Sequence, residues 1–250
     1  MLAHSDEGQG PPLVFLHGLG TDRTRWQPVV SLLGDYRCIC VDLPGHGESS
    51  DDGCDQLSAV AKVAELVDHL GLGPHSVVGH SLGANSVLLY GAIHRPQSVV
   101  SIDPAPLHLP NLAASLDAAA LRGPEFDSAF RAWEGRFGPA PPGVFHPRQE
   151  VVLSYWASLL DGADAIQPGF EAVLAAISVP TLVCLGDKPS PEDAAILATM
   201  STTTVEVFDG LGHFLHLLDP PRFVARLRDW LSSHAESSRQ AGTAAVRQPK

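Results

Sequence analysis

Residues 77 to 86 read V-V-G-H-S-L-G-A-N-S. An apolar run leads into a glycine, a serine follows one residue later, and a second glycine opens a helix-like run. The five residues Gly79 to Gly83, G-H-S-L-G, fit the pattern G-x-S-x-G of a nucleophile elbow. In such an elbow a sharp strand-to-helix turn exposes the serine hydroxyl, and glycines on both sides allow the backbones to approach. The helix start also aims backbone N–H groups at developing negative charge. Ser81 is the candidate nucleophile. The competing reading is a glycine-rich turn without chemistry.

Outward from this turn, short apolar runs alternate with helical patterns. Leu13 to Leu16, Arg37 to Asp42, Ser76 to Gly79, Ser98 to Asp103, Thr181 to Leu185 and Thr204 to Phe208 read as strands. Runs this continuous suit strands covered on both faces, as in parallel sheets. Asp55 to Leu70 has a helical stripe ended by Gly71, Leu82 to His94 is stopped before Pro96, and a third helix starts at Asp219 with two prolines in its first turn. The alternation predicts an α/β fold with a doubly wound, mostly parallel sheet. Only a dozen residues precede the first strand, so an earlier edge strand is absent or very short. Between Leu107 and Pro168 no strand is legible. Residues 111–122, 125–137 and 148–161 read there as three helices. The expected division is a core of 1–106 and 169–234, a helical cap of 107–168, and a disordered tail of 235–250.

Three further loops carry chemistry-bearing residues. F-L-H-G-L-G, residues 15 to 20, ends the first strand and can lend a backbone N–H to an oxyanion. The expected donors are the N–H groups of Leu19 and of Leu82, the residue after the serine. V-D-L-P-G-H-G-E-S, residues 41 to 49, holds His46 between glycines, where a structural role is expected. D-G-L-G-H-F, residues 209 to 214, follows the last strand. It places His213 at a strand end, after the serine in chain order, as a base should be. His216 is its neighbour and is expected to cap or pack.

Together H-G-L-G, D-L-P-G-H-G-E-S, G-H-S-L-G and G-L-G-H-F, in this order, resemble the alpha/beta-hydrolase superfamily from about residue 5 to 234. The resemblance implies a Ser-His-acid triad and says little about substrate. Many members carry the acid three residues after a glycine beyond the seventh strand. Here that position, three after Gly186, is Pro189. Asp187 stands next to the glycine. Asp103 ends the preceding strand in S-I-D-P-A-P, 22 residues after Ser81. That segment is similar to the D-I-A-P or D-I-S-P stretch of a subgroup of bacterial and mitochondrial hydrolases with esterase activity. Either carboxylate could orient the imidazole; Asp103 is preferred, with Asp187 the alternative.

Composition limits the rest. The 250 residues are 44% hydrophobic and carry a formal charge of −12. An acidic surface argues against nucleic acid and anionic membranes as partners. No run approaches the roughly 18 to 20 apolar residues of a bilayer span, and no signal peptide is visible at residue 1. Cys38, Cys40, Cys54 and Cys184 have no metal-ligand spacing, and reduced thiols fit a cytoplasmic protein. No cofactor or metal is expected. In the cap, Phe130, Trp133 and Phe137 share one helical face, which could pack on the core or line a pocket. Phe126, Phe145, Tyr155 and Trp156 are its other aromatic residues. The expected function is hydrolysis of a carboxylic ester, with thioester and lactone as variants. The alternatives are carbon–carbon hydrolysis or cofactor-free peroxidase chemistry on the same triad, and a binding module without catalysis. The expected partner is a small-molecule ester, and the oligomeric state is not legible.

Overall fold

The computed structural model describes residues 1–138 and 147–245, with the side chains of 158 and 235–245 outside that description. Among the described residues, seven strands form one sheet: β1 (His4–Glu7), β2 (Pro12–Leu16), β3 (Arg37–Val41), β4 (Ser76–His80), β5 (Ser98–Ile102), β6 (Thr181–Leu185) and β7 (Thr203–Val207). Their order is β1-β3-β2-β4-β5-β6-β7. Only β1 runs antiparallel, pairing His4 with Val41 and Glu7 with Cys38. It is the very short edge strand the sequence leaves room for.

The parallel strands β2 to β6 bury both faces, whereas the edge strand β7 stays partly exposed, and their period of two divides the core. Val14, Leu16, Ile39, Val41, Val77, Val99, Val183 and Leu185 face one layer. Leu13, Phe15, Cys38, Cys40, Val78, Val100, Leu182 and Cys184 face the other. Cys38 and Cys40 thus share a face, and all four cysteines are free and buried. Burial pushes the Cys38 thiol up to about 12, so it stays protonated and packs as a small hydrophobe.

The short helix α1 (Gln27–Val30) packs against one sheet face, and α2 (Gln56–His69) and α3 (Leu82–His94) pack against the other. Asp55 caps α2 by accepting the Ser58 N–H at 2.9 Å, which is why that helix starts one residue after the acid. Among the described residues, four helices lie between β5 and β6: α4 (Leu109–Ala114), α5 (Ala118–Arg122), α6 (Phe126–Glu134) and α7 (Gln149–Ala175). The helix expected over 111–122 is two, because Asp117 caps a new start on the Ala120 N–H at 3.0 Å. A 3-10 turn over Gly135–Phe137 continues α6. Helix α7 does not stop at Pro168. It bends at Gly162 (φ −175°, ψ 46°) and runs on to Ala175, held by the buried Leu174 and Ile177 beyond the proline. The cap boundary drawn at 168 therefore falls inside a helix.

After β6 come α8 (Pro191–Thr199), α9 (Leu215–Leu218) and α10 (Pro220–Ala245). Phe223, Leu227 and Trp230 of α10 fill the α1 side of the core. The patternless tail expected from 235 is instead helical as far as Ala245. Its A-E-S-S-R-Q-A-G-T-A-A lacks an apolar stripe but is rich in helix formers. Phe145, counted among the cap aromatics, lies outside the described residues.

The strand register sets up the site. His80 pairs with Ile102, Ile102 with Cys184, and Leu185 with Val207. The carboxyl ends of β4, β5, β6 and β7 therefore align, and the residues just beyond them share one edge. Strand β2 neighbours β3 on one side and β4 on the other, so the chain reverses its direction of progress there. Such a switch point opens a crevice at the strand carboxyl ends.

Candidate active site

The serine stands in the turn that joins β4 to α3. Its backbone has φ +54° and ψ −115°, a conformation L-residues rarely adopt and one that costs on the order of 1–3 kcal/mol. The turn holds because the Ser81 N–H donates to the Ile102 carbonyl at 3.0 Å. It needs its glycines. A Cβ on Gly79 would run into the Gly83 carbonyl, and a Cβ on Gly83 into the Leu16 carbonyl. The helix can meet the sheet only without these side chains.

The loop after β7 brings His213 to the same edge. His213 Nδ1 and Asp103 Oδ2 are 2.6 Å apart, the length of a charge-assisted hydrogen bond. Asp103 also sits at positive φ, +44°, with its N–H donating to the Cys184 carbonyl at 2.7 Å. Its Oδ1 accepts the Gly186 N–H at 2.8 Å. Both carboxylate oxygens are thus engaged and the acid cannot swing away. Gly186 in turn lies backbone to backbone on Gly212, where a Cβ would clash. The loop after β6 thus meets Asp103 through a backbone N–H, that of Gly186. Asp187 is exposed on the cavity wall and makes no hydrogen bond among the described residues.

Two residues secure the His213 backbone. His80 Nε2 donates to the His213 carbonyl at 3.0 Å. The His213 N–H donates to the Phe137 carbonyl at 3.2 Å, joining the loop after β7 to the inserted helices. Neither contact is singled out by sequence, although His80 stands inside the G-H-S-L-G motif.

Leu19 lies beside Ser81 in the loop after β2. Gly18 gives that approach its room, since a Cβ there would stand 3.2 Å from the Ser81 Cβ. The Gly20 N–H is taken by His46 Nε2 at 3.1 Å, whereas the Leu19 N–H has no acceptor among the described residues. Leu82 is the first residue of α3, so its N–H has no intrahelical acceptor. The two expected donors are therefore both free beside the serine.

The other histidines nearby are held neutral. Burial drops His17 to about 4, and burial drops His46 and His216 to about 3. His17 Nε2 accepts the Leu43 N–H at 3.0 Å, and His46 Nδ1 donates to the Pro44 carbonyl at 2.9 Å. His46 thus ties two loops together, as expected. His216 packs against Trp26, His80 and Phe223. Among these rings only His213 has a carboxylate partner.

A cavity of about 240 Å³ opens on Ser81, Asp103 and His213. Trp133, Phe137 and Leu107 give it apolar wall, while Arg136 and Lys188 bring positive charge and Asp187 and Asp193 negative charge. The aromatic face of the cap divides its work: Phe130 is fully buried in the core, and Trp133 and Phe137 line the cavity. Arg136 is the one of the four cap arginines that reaches this cavity, and it donates to the Ser115 carbonyl at 2.8 Å. Arg148 instead pairs with Asp51 at 2.5 Å, and Arg122 with Asp161 at 2.5 Å. A larger cavity of about 550 Å³ lies between Gly45, Arg148 and Val151, but none of Ser81, Asp103 or His213 borders it. No group of three metal-binding side chains occurs among the described residues. Nor is any helix there long and apolar enough to cross a membrane.

A family model described as the alpha/beta hydrolase family matches residues 13–227. Curated relatives include a 2-succinyl-6-hydroxy-2,4-cyclohexadiene-1-carboxylate synthase of Yersinia pseudotuberculosis, 27% identical and aligned over 89% of this chain and 88% of its own length. Among solved structures, an esterase from Exiguobacterium antarcticum is similar with a TM-score of 0.70 at 20% identity, covering 92% of this chain and 95% of that one. An enol-lactonase from Burkholderia xenovorans LB400 has a TM-score of 0.67 at 20% identity, over 92% and 96%. At such identity the solved structures establish the fold alone.

Proposed function

The chain belongs to the alpha/beta hydrolase family, and from that premise we propose that it hydrolyses a carboxylic ester through a covalent acyl-enzyme on Ser81. The observation that carries this reading is the 2.6 Å bond from His213 Nδ1 to Asp103, beside a serine held in a strained turn that borders the cavity. With a carboxylate at Nδ1, the imidazole carries its proton there and presents a bare Nε2. Nε2 takes the Ser81 proton as Oγ attacks the carbonyl carbon. The N–H groups of Leu19 and Leu82 receive the oxyanion. The leaving alcohol takes the proton back from His213, and water repeats the sequence to release the acid. A water-excluding wall of Trp133, Phe137 and Leu107 supports an apolar acyl group. The four buried, free thiols support a reducing, cytoplasmic setting.

The test is turnover of p-nitrophenyl butyrate by wild type and by Ser81→Ala. Wild type turns over and the variant loses essentially all activity while keeping its melting temperature. A variant as active as wild type would sink the mechanism.

A second reading, chemistry at a carbon–carbon bond by the same residues, is favoured by one comparison. The curated relatives named for a synthase share more identity with this chain than the esterase does. That synthase's name carries a succinyl group and a carboxylate, and Arg136 and Lys188 on the cavity wall would suit an anionic substrate. A panel holding both neutral esters and carboxylate-bearing substrates separates the two readings by which class gives the higher kcat/KM.

A further inference from the structure

A second cavity, of about 20 Å³, also touches Ser81. Its walls include Leu19, Ser81, His213 and Glu134, together with Trp133 and Phe137. A single water needs roughly 10–15 Å³ of such space and two to four polar partners. This space therefore takes one water and no larger group. With Ser81 acylated and the Leu19 N–H holding the acyl carbonyl oxygen, two polar partners remain for the water: the His213 ring and the Glu134 carboxyl. Glu134 is the last residue of α6, half-buried, and accepts no hydrogen bond from any described residue. Burial raises its pKa, with His213 and Arg25 pulling the other way. A half-buried carboxyl without a protein partner is a group that retains water.

We propose that this cavity seats the water that deacylates Ser81, and that Glu134 orients it. The inference rests on the acyl-enzyme reading above. In the step, the water oxygen bonds to the acyl carbon while one water proton passes to His213 Nε2 and the carbonyl electron pair moves onto oxygen. The tetrahedral centre then collapses and breaks its bond to Ser81 Oγ. That oxygen takes the proton from His213, and the carboxylic acid departs. Glu134 accepts a hydrogen bond from the second water hydrogen throughout and gains no proton.

The experiment is stopped-flow and steady-state turnover of p-nitrophenyl butyrate by wild type, Glu134→Leu and Glu134→Gln, with circular dichroism to show that each is folded. In Glu134→Leu the acylation burst keeps its rate, while deacylation slows by about tenfold, the worth of one strong hydrogen bond. Glu134→Gln keeps an acceptor oxygen and restores most of the deacylation rate. In added methanol, the ratio of methyl ester to free acid rises for Glu134→Leu, a readout that general loosening of the cap would not move. Equal deacylation rates and equal methanol partition in all three proteins would overturn the inference alone. Failure of wild type to form any acyl-enzyme on Ser81, seen by intact mass, would remove the underlying reading and this inference with it.

Discussion

Replacing Asp103 by Asn tests the site at its most constrained point. The substitution keeps size and shape, and Asn tolerates the positive φ of +44° found there better than most residues. The amide oxygen can still accept the Gly186 N–H, now 2.8 Å from Oδ1. That leaves the amide NH2 facing His213 Nδ1, where Oδ2 stood at 2.6 Å. A donor in this place obliges Nδ1 to accept and moves the ring proton to Nε2. The base then points an N–H at Ser81 and cannot take its proton. The imidazolium formed in the transition state also loses its counter-charge. From such an exchange of tautomer the expected fall in kcat is about 10³ to 10⁴, or about 4 to 5.5 kcal/mol. Fold stability changes by less than about 1 kcal/mol, since no buried group loses its partner. The assay is kcat/KM on p-nitrophenyl butyrate beside a thermal melt, with Asp187→Asn as the control. Asp103→Asn within about fivefold of wild type, or Asp187→Asn suffering the larger loss, would refute the assignment of the acid.

Ser81→Gly removes the side chain from a strained backbone at φ +54°. The protein loses activity yet gains about 1 kcal/mol, raising Tm by about 2–4 °C for a chain of this size; an unchanged or lower Tm would mean the elbow stores no strain. Gly83→Ala forces a Cβ into the Leu16 carbonyl, and thermal melts should show a loss of about 3 kcal/mol or more, with a wild-type Tm counting against the close approach. Stability should also fall with acid. His17, held at about 4, and His46 and His216, held at about 3, are neutral in the folded chain. The unfolded chain binds protons at these sites below about 6.5, so folded stability is complete above that pH and is lost as pH falls toward 4 and 3. At pH 5 the loss is at most about 2 kcal/mol for each histidine. A Tm flat between pH 7 and 5 would contradict the buried, neutral rings.

The sequence pattern carried the sheet well and the cap poorly, and the difference is physical. Strands covered on both faces are continuous apolar runs, so Thr181–Leu185 is legible to the residue and Ser98–Asp103 to within one. Short cap helices are set by local caps and tertiary contacts. Asp117 starting a new helix, and α7 passing Pro168, depend on hydrogen bonds and on the buried Leu174 and Ile177. Ser81 and His213 stand in glycine-marked loops at strand ends, where residue types announce geometry. The choice between Asp103 and Asp187 was not decidable in one dimension. It turns on the Gly186 N–H and on the register that aligns Ile102 with Cys184. The approach of Glu134 to Ser81 and the His80 bond to the His213 carbonyl are invisible for the same reason: each brings together residues far apart in the chain, and no local pattern marks such a meeting.

The central claim is that Ser81 is a nucleophile activated by His213 and Asp103. Intact and peptide mass spectrometry after treatment with a fluorophosphonate probe tests it most directly. The expected result is a single adduct on the peptide holding Ser81, absent in Ser81→Ala and strongly slowed in Asp103→Asn. A folded wild-type protein that takes up no probe, or takes it up elsewhere, would contradict the account and favour a hydrolase fold used only for binding.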